Sequence, residues 1–270
     1  MSMILNGQVI AVFTDKKRGY TGNPAACIYT KTPLTEEQMQ HVAKKNKQPA
    51  TTFLWPVEGQ DGHFHVRWYA VDDEIILCGH GAAAAAIFLG KKFNAHDPFT
   101  LHHKKGIIRV QWQMTDTFII ELEAIHLLEE IDVPDAIEEG LGIPILAMYK
   151  TDGKHIIMVE SERILSKMNP DFEKLRNSDI FGYAVTAPGL EVDFVSRTLV
   201  PHVHQLEDHA TGSSHAALVP FWAKKLKSDD LSSLQLSRRG GKFICKFRED
   251  RNKVYLEGKY KAIETFTVEI

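Results

Sequence analysis

The sequence predicts a mixed α/β (α+β) protein, because short apolar runs typical of strands alternate along the chain with a few helical segments. One helical segment contains an unbroken alanine run, Ala82–Ala86. Alanine is the best helix former, and a helix that is small and apolar on all sides has no face suited to solvent. We therefore expect a sheet to wrap closely around this helix, and Gly90 to end it as a C-terminal cap.

An internal repeat predicts two similar halves. Residues 78–88 read CGHGAAAAAIF and residues 211–221 read TGSSHAALVPF, and a pair of lysines follows each stretch. The equivalent glycines, Gly79 and Gly212, lie 133 residues apart, about half of the 270-residue chain. The pattern favours a duplication, and a chance likeness of two small-residue helices is the alternative.

The remaining elements follow from local signals. Thr35 is a predicted helix N-cap, because two glutamates follow it in the first turn. Further helices are expected at 134–140, closed by Gly142, and at 164–176, where Pro170 must kink or split the helix. Residues 263–268 alternate as an edge strand does. Strands are predicted at 8–13, 25–29, 51–55, 63–71, 74–77, 101–112, 117–123, 146–149, 155–159, 183–187, 191–199, 243–247, 253–257 and 263–268, whereas 125–131 and 231–236 are ambiguous.

Composition excludes several classes of function. The chain is 44% apolar and 25% charged, with a formal net charge of −3 and no basic block, which argues against a nucleic-acid surface. No stretch is long and apolar enough to span a bilayer, and the first residues lack the pattern of a secretory signal. The three cysteines, Cys27, Cys78 and Cys245, are widely separated, which favours a reducing cytoplasm without a disulfide framework.

The stretch 207–215, EDHATGSSH, carries two carboxylates, two histidines, two serines and a glycine. Gly212 allows a ligand to approach the backbone, and the N–H groups of Ser213 and Ser214 at a helix start would point at an anion. A helix cap with nothing bound is the alternative. If residues 78–82 form a matching helix start, the two ends facing one cleft would make an anion site.

Neither a metal nor a nucleotide is predicted. His202, His204, His209 and His215 fall within fourteen positions, and His63 and His65 form a His-x-His pair on one strand face. Their spacing matches no known zinc pattern. The glycines around His80 are not a dinucleotide fingerprint either, because the third glycine position is Ala84.

Five short motifs, in this order, resemble those of the phenazine biosynthesis PhzF-like isomerases. They are Phe13-Thr14 with Gly22-Asn23-Pro24-Ala25-Ala26, Thr51-Thr52-Phe53, Cys78-Gly79-His80, Glu207-Asp208 with Ala210-Thr211-Gly212-Ser213, and Ser237-Arg238-Arg239-Gly240-Gly241. Each motif is short, but the ordered set is specific and covers nearly the whole chain. The family shares its fold with diaminopimelate epimerase and proline racemase.

The resemblance implies two similar domains, each a β-sheet rolled into a barrel around a central helix. Their expected limits are 1–120, together with 262–270, and 121–261. It also implies an active site between the domains, no metal or organic cofactor, a homodimer, and a small carboxylated substrate isomerised by proton transfer. PhzF itself moves a proton along the carbon skeleton of trans-2,3-dihydro-3-hydroxyanthranilate.

The resemblance carries site roles onto particular residues, with one departure. The implied catalytic residues are Asp208 and His80, and the implied substrate-binding residues are Asn23, Gly79, Gly81, Gly212, Ser213 and Ser214. The family's acid/base glutamate falls on Ala50, whose methyl group accepts no proton. Cys78 matches the first thiol of the racemases on this fold, but no second cysteine lies near Thr211, and a small buried residue is the favoured interpretation.

Two hypotheses follow. In the first, the protein is a cofactor-free isomerase in which Asp208 and His80 transfer the proton, since a neutral imidazole at a helix start can act as a base. In the second, it is a non-catalytic protein that binds small anions and has lost the base at Ala50.

Overall fold

The computed structural model describes residues 3–113 and 116–270. The chain divides into two compact units, an N-terminal unit of Met1–Leu122 with Glu257–Ile270 and a C-terminal unit of Glu123–Leu256. The predicted domain limits remain a prediction, because compactness alone does not show that either unit folds independently. Within the described ranges, no helix is both long and apolar enough to cross a membrane.

Strands account for most of the regular structure. They are β1 (Ile4–Thr14), β2 (Asn23–Tyr29), β3 (Ala50–Pro56), β4 (His63–Tyr69), β5 (Glu74–Ile75), β6 (Phe99–His103), β7 (Gly106–Trp112), β8 (Thr117–Glu123), β9 (Glu129–Ile131), β10 (Ala147–Lys150), β11 (His155–Met158), β12 (Tyr183–Pro188), β13 (Phe194–Val200), β14 (Leu206–Asp208), β15 (Asp230–Gln235), β16 (Gly241–Arg248) and β17 (Lys253–Glu269). The α-helices are α1 (Glu36–Asn46), α2 (Gly79–Phe93), α3 (Asp135–Leu141), α4 (Glu162–Lys167), α5 (Phe172–Leu175) and α6 (Gly212–Leu226).

The N-terminal unit is a closed eight-stranded barrel. Its strands pair in the order β1, β2, β3, β4, β6, β7 and β8, and β17 closes the ring by pairing with both β8 and β1. Helix α2 contacts β1, β2, β3 and β7 from within, and Ala82–Ala86 are fully buried. The predicted wrapping of a sheet around the alanine helix is confirmed, since short side chains let the strands approach the helix closely.

The C-terminal unit repeats the pairing order of the N-terminal unit. The ladder from β1 to β7 runs antiparallel, parallel, antiparallel, parallel, antiparallel, and the ladder from β10 to β16 runs the same way. In each unit a short strand, β5 or β14, pairs with the strand before it and precedes a 15-residue helix, α2 or α6. The common order supports the duplication predicted from the repeated stretches.

Two local predictions need correction. Gly90 does not end α2, which continues to a left-handed cap at Asn94. A Cβ at Gly90 would lie 2.7 Å from Trp112, so this glycine makes room for the indole. The expected strand at 101–112 is two strands, β6 and β7, joined by a turn that ends at Gly106 with φ +149°. The strand predicted at 263–268 is the last part of β17, where Glu264–Val268 pair with Val9–Leu5 of β1.

Proline shapes two helical segments in the C-terminal unit. The helix predicted at 164–176 is split into α4 and α5 around Pro170, as the missing N–H requires. Pro220 lies within α6 and cannot donate to the carbonyl of Ala216 four residues earlier. The Ala216 carbonyl instead accepts the backbone N–H of Ile125 at 2.9 Å. Pro220 thus leaves this carbonyl available to hold the first residues of the C-terminal unit against α6.

Candidate active site

The two repeated helices begin in the same way. Cys78 precedes α2 with φ −126° and ψ 95°, and Thr211 precedes α6 with φ −115° and ψ 99°. Neither Cys78 nor Thr211 makes a capping hydrogen bond to its helix with its own side chain. Each start therefore presents backbone N–H groups that have no acceptor within the helix, together with the positive end of its dipole.

An arginine–glutamate pair anchors the short strand before each helix. Arg67 on β4 binds both carboxylate oxygens of Glu74 at 2.8 and 2.5 Å, and Arg197 on β13 binds those of Glu207 at 2.7 and 2.8 Å. Burial alone would raise the pKa of Glu74, but hydrogen bonds from Arg67 and Lys104 hold it below its usual value. Both glutamates thus serve as anchors in bidentate pairs, and neither is placed as a proton acceptor.

The carboxylate of Asp208 is fixed at the start of α6. Its Oδ2 accepts the hydroxyl of Thr211 at 2.7 Å, and its Oδ1 accepts the backbone N–H of His209 at 3.0 Å. The fully buried Gln235 fixes the same turn from β15, since its Oε1 accepts the N–H of Thr211 at 2.8 Å and its Nε2 donates to the Asp208 carbonyl at 2.6 Å. A carboxylate held this way has one orientation for proton transfer or ligand binding.

The two predicted serines have different partners. Ser214 is buried, and its Oγ accepts the hydroxyl of Thr198 at 3.0 Å, so its side chain is used within the unit. Ser213 is half-buried, and its Oγ accepts from the ammonium of Lys154 at 3.0 Å. A turn in which the Thr151 hydroxyl donates to the Lys154 carbonyl at 2.9 Å positions that lysine. A cation therefore lies beside the first turn of α6.

The start of α2 is more apolar and more tightly packed. His80 is 6% exposed, and its ring nitrogens lie 3.5 and 3.8 Å from the sulfur of Cys78. A Cβ at Gly81 would lie 2.7 Å from Nε1 of the buried Trp68, so only glycine fits beneath the indole. Among the described residues, that indole N–H has no hydrogen-bond partner. The Thr52 hydroxyl donates to the Gly81 carbonyl at 3.4 Å.

The structure groups the predicted residues by unit. Asn23 begins β2 and is fully buried in the N-terminal unit, which also holds Gly79, His80 and Gly81. In the C-terminal unit, Asp208 ends β14, and Gly212, Ser213 and Ser214 begin α6. Ala50 is fully buried at the start of β3, directly opposite Ala25 of β2, so apolar contacts fill the position of the family's glutamate.

Sequence reasoning missed Gln235 and Lys154. Gln235 closes β15, a segment that was ambiguous, and Lys154 follows an ordinary turn. Their one signal in the sequence is their position, since Gln235 ends β15 and Lys154 directly precedes β11. Their roles depend on pairings with residues distant in the chain, which no local pattern reports.

The histidines of the C-terminal unit do not form a group. His215 donates or accepts at both ring nitrogens, 2.9 Å from the Thr211 carbonyl and 2.8 Å from the Ser233 hydroxyl, and burial lowers its pKa to about 4. Burial also lowers the pKa of His209, and nearby Arg239 adds to this effect although Asp208 opposes it. Over residues 3–113 and 116–270, no three His, Cys, Asp or Glu side chains already converge on one metal position.

The chain is similar to known proteins over nearly its whole length. The family model described as phenazine biosynthesis-like protein matches residues 10–265. An uncharacterized isomerase of Halalkalibacterium halodurans is 33% identical over 255 residues, which is 93% of each chain. A PhzF family protein from Enterococcus faecalis has 30% identity and a TM-score of 0.89, over 99% of this chain and all of its own.

A more distant likeness extends to the epimerases. A hydroxyproline epimerase from Agrobacterium vitis is 10% identical over 99% of this chain and 93% of its own, with a TM-score of 0.67, which shows a shared fold alone. The predicted fold class is confirmed by these likenesses together with the barrel wrapped around α2.

Proposed function

The chain belongs to the phenazine biosynthesis-like (PhzF) family, and from that premise we propose that it is a cofactor-independent isomerase of a small carboxylated metabolite. Relatives named as isomerases support this activity. The observation that carries the proposal is the Asp208 carboxylate, which Thr211 and the His209 N–H hold beside the start of α6. Its orientation is set before any substrate binds, as acid/base catalysis requires.

In the proposed reaction, Asp208 and His80 act on one substrate in a cleft between the two units. One group removes a proton from a carbon of the substrate, and the electron pair of that C–H bond stays on the substrate as a delocalised carbanion. The other group returns a proton at a different carbon or at the opposite face of the same carbon, so the substrate is isomerised. The protein regains its starting charge after the two groups exchange a proton with water. Ala50 takes no part, because a methyl group neither gives nor accepts a proton.

The substrate's carboxylate is proposed to lie at the helix starts. Backbone N–H groups and helix dipoles favour an anion there. Lys154 adds a cation 3.0 Å from the hydroxyl of Ser213, which supports an anionic rather than a neutral substrate. Asn23, Gly79, Gly81, Gly212 and Ser214 are proposed to complete the binding surface, with Ser214 contributing through its backbone.

A non-catalytic protein that binds small anions is the second candidate, and the fully buried Ala50 favours it. Such a protein keeps Lys154 and the helix starts but transfers no proton. The two candidates differ in one measurable property, the exchange of a carbon-bound proton of the ligand with solvent.

The test follows proton exchange by NMR in deuterated water. The substrates are trans-2,3-dihydro-3-hydroxyanthranilate, proline and trans-4-hydroxy-L-proline, each added separately. We expect exchange with the unmodified protein, a loss of at least about a hundredfold in Asp208→Asn, and none of this loss in Asp132→Asn, an exposed aspartate of the same unit. Absence of exchange combined with a ligand-induced rise in Tm would favour the binding protein.

Two further variants separate binding from chemistry. Lys154→Gln is expected to weaken binding of the carboxylated ligand, whereas Lys154→Arg should retain most of it because the charge remains. Ala50→Glu restores the family's acid/base group, and turnover of trans-2,3-dihydro-3-hydroxyanthranilate in this variant would show that the pocket still fits that substrate. The proposed homodimer and cytoplasmic location are tested by sedimentation at equilibrium and by cell fractionation.

A further inference from the structure

Three histidines share the outer face of the N-terminal barrel. His63 and His65 lie two apart on β4, and His102 lies on the neighbouring parallel strand β6, directly opposite His65 in the register. Phe64 and Val66, which alternate with these histidines along β4, are buried, so the histidines lie on the opposite face and are half-buried. This group lies apart from Asp208 and His80, and the proposed isomerisation does not use it.

Two of the three imidazoles already lie at the separation that a shared metal ion imposes. His63 Nδ1 and His102 Nε2 are 2.9 Å apart, and the two ring centroids are 5.2 Å apart. Two nitrogens bound to one metal ion at about 2.05 Å, with an angle of roughly 90–110° between them, are roughly 2.9–3.4 Å apart. A metal ion in place of the shared proton keeps this separation but requires both rings to turn, because both nitrogen lone pairs must then point at the ion.

We propose that His63, His65 and His102 bind one divalent transition-metal ion, with water completing the coordination. Imidazole nitrogen is a preferred ligand of zinc, copper and nickel ions. His65 is the third ligand, because its ring centroid lies 6.0 Å from that of His102. Its donor atom does not yet converge with the other two, consistent with the absence of a completed three-ligand group among the described residues.

Binding requires His65 to change partner. Its ring stacks on Trp55 of β3 at 5.4 Å with an interplanar angle of 25°, and Trp55 is its direct neighbour across the β3–β4 pair. Turning the imidazole toward His102 removes this stacking. The emission of Trp55 therefore reports occupancy of the site.

The charges near the three histidines determine the expected affinity for a metal ion. Neutral imidazoles bring no negative charge, and Arg109 of β7 pairs with Thr100, which itself lies opposite His63. Affinity must therefore come from the number and spacing of the nitrogens. Loss of any one ligand is expected to weaken binding by at least about tenfold.

The experiment titrates the full chain with ZnCl2 by calorimetry and with CuCl2 by tryptophan fluorescence, at about pH 7.5. We expect one equivalent of Zn²⁺ and saturable quenching by Cu²⁺, both weakened at least about tenfold in His102→Gln and in His65→Gln. Trp55→Phe should keep the Zn²⁺ stoichiometry and remove most of the quenching. His96→Gln is the matched control, since the His96 ring lies 4.7 Å from that of Trp112 in the same unit and contacts no other histidine among the described residues.

Each outcome bears on the site alone. Circular dichroism and Tm confirm that the variants are folded before the titrations are compared. A missing equivalent of Zn²⁺, equal binding by His102→Gln, or equal losses in His96→Gln and His102→Gln would overturn the proposal. Proton exchange by the isomerase candidate is unchanged in every case, because these histidines are not part of its machinery.

Discussion

His215 predicts how the stability of the C-terminal unit depends on pH. Its ring is fully buried, stacks on Phe243 at 3.7 Å and is hydrogen-bonded at both nitrogens, to Thr211 and Ser233. Burial disfavours the imidazolium, which lowers the pKa from an ordinary 6.5 to about 4. The native state therefore excludes a proton that the unfolded chain binds readily.

The sign and size of the effect follow from this pKa difference. Between about pH 6.5 and pH 4 the unfolded state binds the proton and the native state does not, so the free energy of unfolding falls as the pH falls. A difference of about 2.5 pKa units corresponds to about 3 kcal/mol at full extent. Above pH 6.5 neither state is protonated, and this contribution no longer varies.

The assay is urea unfolding of the unmodified protein and of His215→Gln at about pH 7, 5.5 and 4.5, followed by circular dichroism. The histidines common to both proteins cancel in the difference, which isolates position 215. At pH 7 we expect the unmodified protein to have the larger free energy of unfolding. The difference from His215→Gln should decrease by roughly 2–3 kcal/mol by pH 4.5. A difference that stays constant across this range would refute the reasoning.

Two further predictions concern packing and thiol chemistry. Gly258→Ala places a Cβ 2.6 Å from the ring of Phe13, so urea unfolding should show a loss of about 1–3 kcal/mol in the free energy of unfolding. In the control Gly153→Ala the nearest atom lies at 3.9 Å, and the change should be less than about 0.5 kcal/mol. Equal effects of the two substitutions would contradict this account. Burial raises the pKa of the Cys27 and Cys245 thiols to about 12. Iodoacetamide at about pH 8 should therefore leave both thiols unmodified until urea is added, and mass spectrometry measures the labelling. Labelling of either cysteine in the native protein would contradict this prediction.

Local sequence signals predicted the elements of the fold better than their ends. The alanines of α2 specify a buried helix because propensity and burial act in the same direction there. The prediction that α2 ends at Gly90 was wrong, because this glycine is needed for close packing against Trp112, twenty-two residues later in the chain. The two partners of β17 were likewise hidden, since β1 comes from the opposite end of the sequence.

The candidate site shows the same limit. The motifs around His80 and Asp208 are contiguous in the sequence, so their positions at the two helix starts were predictable. Gln235 and Lys154 act on the start of α6 from other strands, through single hydrogen bonds that leave no periodic pattern. Contacts of this kind follow from strand register, which a single sequence specifies only through the completed fold.

The route of β17 has a consequence for how the chain is made. Residues 257–270 complete the N-terminal barrel, yet they follow the whole C-terminal unit in the sequence. At ordinary elongation rates the first 122 residues wait roughly 7–27 s for the strand that pairs with β1 and β8. During that interval β1 and β8 each lack their β17 partner and form open edges of the sheet. All residues of the C-terminal unit are synthesised before the last residues of the N-terminal unit. The N-terminal barrel can therefore close only after the whole C-terminal unit has been synthesised.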